Sequence, residues 1–178
     1  MNPFSNIVVL NLVRRTDRMS RIMRHLENVN SATYPLQSIS VIDAVDGNWL
    51  WDLQKLSRFE FATILSHLLM FEKAKRNEWD SFLLVEDDAV FADDFSIYIE
   101  KHMRHIPDGW EILQLGRIDT NEFNSEPVVG DVLRIWKSCT THCVAFRSTI
   151  YDAAQEALMT FSRPVDWCYM ALQNRGHA

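Results

Sequence analysis

Glu86, Asp87 and Asp88 stand together at the end of the apolar run Ser81-Phe82-Leu83-Leu84-Val85. Three adjacent carboxylates repel one another, and holding them together costs stability unless a cation lies among them. An oxygen-rich set of this kind suits a hard divalent ion such as Mn2+ or Mg2+. The alternative is a solvated strand end whose acids open the next loop. A second group of charges, Arg14, Arg15, Arg18, Arg21 and Arg24, crowds the amino-terminal segment. On an acidic chain it can form a local anion site, while Arg21 and Arg24 fit an ordinary solvated helix face. A third group, Cys139-x-x-His142-Cys143, suggests zinc. A structural zinc site wants four ligands in spaced pairs and only Cys168 remains to complete one, so zinc is not expected.

The elements that position these residues follow from periodicity. Residues 7–12, Ile-Val-Val-Leu-Asn-Leu, read as a strand buried on both faces. Thr16 or Asp17 can then cap a helix carrying Met19, Ile22, Met23, Leu26 and Val29 at helical spacing. The turn through Arg14 and Arg15 lies at that strand's carboxyl end, where helix-start amides and two guanidinium groups can hold a phosphate. Residues 38–44 alternate as a second strand ending near Asp46-Gly47, a turn signal, and 48–58 have no clear period. Phe61, Ile64, Leu65, Leu68 and Phe71 mark a strong helix from Phe59 to about Asn77. Helical spacing sets Glu60, Thr63 and His67 on one stripe beside its apolar face, where they could line a site or serve packing.

The acidic strand comes next, with its three acids at the carboxyl end, the side on which open α/β sheets bind ligands. A helix through Phe95, Ile99, Met103 and Ile106, capped by Asp93 or Asp94, stops at Pro107. Residues 110–116, 132–136 and 142–146 read as strands, 117–125 as a loop and 151–161 as a helix. The tail 165–172 is an apolar stretch led by Asp166. Strands alternating with helices predict an α/β domain whose mainly parallel sheet has helices on both faces.

Composition sets the outer bounds. A chain of 178 residues with 47% hydrophobic and 24% charged residues fits one domain with an ordinary core, and five glycines and five prolines leave no long linker. The net charge of −6 disfavours a general nucleic-acid binder. Three cysteines cannot all pair and the amino terminus has no signal-peptide pattern, so a reducing cytoplasm is expected. No apolar run is long enough to span a bilayer, and any membrane contact would be peripheral, at the inner face.

Seven blocks in order resemble glycosyltransferase family twenty-five, the lipopolysaccharide and collagen galactosyltransferase group, over nearly the whole chain. Asn11-Leu12-x-Arg14-Arg15-x-Asp17-Arg18 is similar to its opening motif, and Ala44-x-Asp46-Gly47 to its second. Glu60 with Leu65-Ser66-His67, Val85-Glu86-Asp87-Asp88, Leu113-x-Leu115-Gly116, Thr141-His142 and Pro164-Val165-Asp166-Trp167 are similar to the later ones. Phe59, Ala62, Thr63 and Thr140 depart from it, standing where the family carries Gly, Gly, Cys and often Gly.

The resemblance implies a type-A, Rossmann-like glycosyltransferase fold over residues 1–178, short of the family's carboxy-terminal acceptor region. It implies an inverting transfer of a hexose, galactose above others, from a UDP-sugar to a glycan or lipid-linked glycan acceptor such as lipopolysaccharide. Asn11, Arg14, Arg15, Asp46, Glu60, His67, Glu86 and Asp87 would then bind the donor, and Asp88 with Glu86 would hold Mn2+ or Mg2+. Asp166, behind Pro164 and beside Trp167, is the candidate general base, or else the cap of a final helix; Asp119 is the reserve. Two rivals are a degenerate member that binds nucleotide sugar or a partner without turnover, and a plain metal-binding interaction module.

Overall fold

Side chains of a strand alternate between the two faces of its sheet, so a run that is apolar at every position needs cover on both. The computed structural model describes residue 4 and residues 6–29, 38–116, 125–136 and 138–175. In chain order its elements are β1 (Asn6–Asn11), α1 (Thr16–Val29), β2 (Ile39–Asp43), α2 (Arg58–Arg76), β3 (Ser81–Glu86) and α3 (Phe95–Met103). There follow β4 (Ile112–Gln114), β5 (Ser125–Val129), β6 (Val132–Ile135), β7 (Cys143–Arg147), α4 (Tyr151–Met159) and α5 (Val165–Gln173).

The two continuous apolar runs, β1 and β3, lie in the middle of a five-stranded sheet of order β2-β1-β3-β7-β4. Parity then sorts their side chains. Val8, Leu10, Phe82, Leu84, Val144 and Phe146 face one core with Phe71 of α2, Leu158 of α4 and Tyr169 of α5. Ile7, Val9, Leu83, Val85, Cys143 and Ala145 face the other, with Ile22 and Leu26 of α1 and Met103 of α3. Helices thus cover both faces.

β1 pairs in parallel with β2 and β3, whereas β7 pairs antiparallel with both β3 and β4. The sheet is therefore mixed. The reversal has a positional consequence. Register sets Asn11 beside Asp43 and Leu10 beside Glu86, so the carboxyl ends of β1, β2 and β3 share one edge. Because β7 runs the other way, with Val85 opposite Cys143, its amino-terminal approach arrives at the same edge.

Several elements differ from the sequence reading. β5 and β6 form a separate hairpin, in which β5 went unassigned because Ser125-Glu126-Pro127 carries no apolar pattern. The tail 165–172 is the helix α5, with Cys168, Tyr169 and Leu172 buried. Its run of apolar residues left the period ambiguous. The loop 117–125 lies outside the described residues except for Ser125, where β5 begins.

Gly47 answers to a close approach as well as to a turn. A Cβ there would come within 2.6 Å of a Phe59 ring carbon and 3.1 Å of the Arg58 carbonyl oxygen, so only glycine lets the 3-10 turn 47–49 lie against the start of α2. Ser66 adds a second tie. Its hydroxyl donates to the Ala62 carbonyl at 2.8 Å and accepts from the Val45 amide at 2.9 Å.

Candidate functional site

β3 delivers Glu86, Asp87 and Asp88 to the common sheet edge, and the segment before β7 delivers Thr141 and His142 opposite them. The Glu86 amide donates to the His142 carbonyl at 3.0 Å, continuing the antiparallel ladder one residue beyond β7. His142 Nδ1 then lies 3.0 Å from Glu86 Oε2 and 3.6 Å from Asp88 Oδ1. One ligand atom from each of the three residues fits within 4.8 Å of the others. Thr141 Oγ1 donates to the remaining Glu86 oxygen, Oε1.

Two carboxylates and an imidazole converging in this way match the donor preferences of a divalent ion. The local charges agree. Arg18 donates to Asp87 at 2.8 Å and reaches Asp88 at 3.5 Å, but no guanidinium meets Glu86 among the described residues. The residues present fit a cation.

The arginines after β1 are tethered. Arg14 Nε donates to Asp46 Oδ2 at 2.6 Å, tying the β1–α1 turn to the segment after β2, and Arg15 holds Asp17 at 2.8 Å. The Arg14 guanidinium first, then the Asn48 amide, hold the Asp46 carboxyl below the usual carboxylate range. Asn11 ends β1, with its side-chain amide on the Leu12 carbonyl at 2.8 Å and its Oδ1 buried without a partner among the described residues.

The stripe on α2 divides. Glu60 accepts from the Ser57 amide at 2.8 Å and from its hydroxyl at 2.7 Å, closing a capping box at the helix start. Thr63 donates to the Phe59 carbonyl at 2.9 Å. His67 alone is fully buried and turned inward, with Nδ1 2.7 Å from the Tyr169 hydroxyl oxygen and Nε2 3.9 Å from Glu86 Oε1. Burial pushes the imidazole down to about 3 from its ordinary 6.5, so it is neutral.

That shift has a measurable sign. The folded pKa lies below the unfolded one, so the contribution to stability is complete above about pH 6.5 and is lost as pH falls toward 3. The slope from this one group is at most ~1.4 kcal/mol per pH unit. His67→Gln is expected to flatten the melting temperature against pH between 7 and 4; identical slopes for parent and variant would contradict it.

Asp166 lies in the first turn of α5, where its Oδ1 accepts from the Trp167 amide at 3.0 Å and Trp167 is half-exposed. The Cys139 thiol contacts it, and burial followed by the Asp166 charge pushes that thiol up. Cys139 and Thr141 are separated by two residue steps, at most ~7 Å of chain, so one short segment touches both Asp166 and Glu86. Asp119 lies outside the described residues.

Thr140, at the centre of that segment, has φ +111°, a backbone region that favours glycine. Its hydroxyl donates to the Gly116 carbonyl at 3.1 Å, and its own carbonyl accepts from Gln114 at 3.1 Å. Thr140→Gly is expected to stabilise the protein by about 1 kcal/mol, strain relief of 1–3 outweighing one net hydrogen bond. Denaturant midpoints measure this, and a loss of stability would contradict it.

The sequence reading puts Arg18 among the arginines of an anion site and Thr141-His142 in a family block, and joins none of the three to the acidic cluster. The signal was the Thr-His pair just before an apolar strand, legible only once that strand is paired antiparallel to β3. Among the described residues no helix is long and apolar enough to cross a membrane.

Residues 4–165 match the family model described as glycosyltransferase family 25, LPS biosynthesis protein. Two curated relatives are each named procollagen galactosyltransferase 2. The chain is 26% identical to the Mus musculus protein over 154 residues, covering 74% of this chain and 24% of that one. It is 26% identical to the Homo sapiens protein over 136 residues, covering 64% and 21%. The chain thus spans less than a quarter of the length of these two relatives.

Proposed function

The chain belongs to glycosyltransferase family 25, and from that premise we propose that it is a metal-dependent, inverting hexosyltransferase. It moves galactose from UDP-galactose to a hydroxyl of a glycan or lipid-linked glycan, such as lipopolysaccharide. The observation that carries the reading is the convergence of Glu86, Asp88 and His142 at the carboxyl edge of the sheet. The names of the relatives favour galactose as the sugar.

Glu86 Oε2, Asp88 Oδ1 and His142 Nδ1 would hold Mn2+, or Mg2+ in its stead. A bound divalent cation supplies neutralisation of the diphosphate as the sugar departs. Arg18 keeps Asp87 and Asp88 in place, and the Arg14 and Arg15 guanidiniums add positive charge on the donor side. Asn11, Asp46 and Asp87 lie along the edge where the nucleotide binds. Asp166 takes the proton from the acceptor hydroxyl while that oxygen bonds to the anomeric carbon. The bond to UDP breaks on the opposite face, and UDP leaves with the bonding electrons. On this reading the protein works in the cytoplasm, peripheral to the inner membrane face.

Incubation with radiolabelled UDP-galactose, Mn2+ and a lipid-linked oligosaccharide acceptor tests this. The expected result is a labelled, anomerically inverted product and stoichiometric UDP, abolished by a chelator. Nucleotide binding with neither transfer nor hydrolysis would replace the enzyme with a degenerate binding protein.

A further inference from the structure

The His67 and Tyr169 pair is buried away from the surface, yet it ends near Glu86. Tyr169 is fully buried among Phe71, Phe146 and His67, with ring centroids 6.3, 4.9 and 5.7 Å away. A buried phenol needs an acceptor for its proton, and among the described residues its hydroxyl has the one hydrogen-bond partner, His67 Nδ1 at 2.7 Å. The phenol therefore donates, which leaves Nδ1 as acceptor and the imidazole proton on Nε2. That nitrogen is buried, has no hydrogen-bond partner among the described residues, and lies 3.9 Å from Glu86 Oε1. The separation is too long for a hydrogen bond. In an apolar, low-dielectric surrounding, an N–H dipole aimed at a carboxylate still biases its orientation.

We infer that Tyr169 and His67 are positioning residues for Glu86: the phenol fixes the imidazole tautomer, and the Nε2 proton works with the Thr141 hydroxyl to hold Oε1 inward, leaving Oε2 to face His142 and Asp88. The inference rests on Glu86 being a metal ligand. It separates the two oxygens by role. Oε1 accepts from Thr141 and has His67 Nε2 3.9 Å away, whereas Oε2 lies 3.0 Å from His142. Partners one shell behind a metal commonly fix ligand orientation in this way, and losing one costs roughly 10–100-fold in metal affinity.

The variants separate orientation from packing. His67→Leu keeps apolar volume but has no N–H, whereas His67→Gln can present an amide N–H near the position of Nε2. Tyr169→Phe removes the proton that sets the tautomer. Two readouts apply: nitrogen NMR of protein labelled in histidine, and calorimetric titration of Mn2+ in the presence of UDP.

The expected results are an Nε2-protonated His67 in the parent and tighter Mn2+ binding by His67→Gln than by His67→Leu. His67→Leu and Tyr169→Phe should each lose about tenfold or more in affinity, as outer partners do. An Nδ1-protonated His67, or parental Mn2+ affinity in His67→Leu, overturns the inference while leaving the metal site standing. A parent that binds no Mn2+ overturns the metal site and the inference together. Should His67→Leu fail to fold, the NMR tautomer and Tyr169→Phe decide, and parental affinity in Tyr169→Phe counts against the inference.

Discussion

Asp166→Asn is expected to fold and bind donor like the parent while losing transfer by about a hundredfold or more, the usual contribution of a general base. The contrast follows from what each group can do. An asparagine oxygen can still accept from the Trp167 amide, as Asp166 Oδ1 does at 3.0 Å. It cannot take a proton from the acceptor hydroxyl. A substitution that merely disturbed α5 would lower the melting temperature, whereas loss of the base lowers kcat with KM for the donor unchanged. Transfer at the parental rate would remove Asp166 from the mechanism and turn the search to Asp119.

Asp88→Asn is the second large effect, and it strikes binding. Asp88 is partly exposed, and its partners Arg18 at 3.5 Å and His142 at 3.6 Å are surface contacts, so the variant should fold. The amide carries no charge and coordinates a hard cation poorly. Mn2+-dependent affinity for the nucleotide should fall by about a hundredfold or more, since losing a direct ligand costs at least as much as losing an outer partner, roughly 10–100-fold. By calorimetry, equal donor affinity in variant and parent would contradict the assignment of Asp88.

Much of the scaffold is legible in the amino-acid order, and the reason is physical. β1 and β3 are apolar at consecutive positions because both sheet faces are covered, and α2 repeats its apolar residues at helical spacing. The acids at the end of β3 were legible as a candidate cation site for the same local reason: adjacent carboxylates need neutralising. What was not legible depends on pairing. His142 and Thr141 reach Glu86 only because β7 runs antiparallel to β3, and no local pattern encodes strand direction. His67 could be placed beside an apolar face, but its inward turn toward Tyr169, 102 positions along the chain, is a tertiary fact. Glu60 has a similar history. Its place on the stripe suggested a donor contact, while Ser57 three residues earlier forms a capping box with it, a signature readable in the sequence. Arg18, four residues after Arg14 on a helix start, read as part of an anion site with Arg14 and Arg15, and its pairing with Asp87 and Asp88 became visible only with β3 placed alongside.

The central claim is that the sheet edge bearing Glu86, Asp88 and His142 binds a nucleotide sugar together with a divalent cation. Thermal unfolding with UDP-galactose, with and without Mn2+, tests it most directly. A ligand at a hundredfold excess over its dissociation constant stabilises by about 2.7 kcal/mol, or roughly 5–10 °C for a chain of this size. A shift of that order is expected with both present and little with either alone. No shift under any condition, or the same shift with Mn2+ withheld, would contradict it.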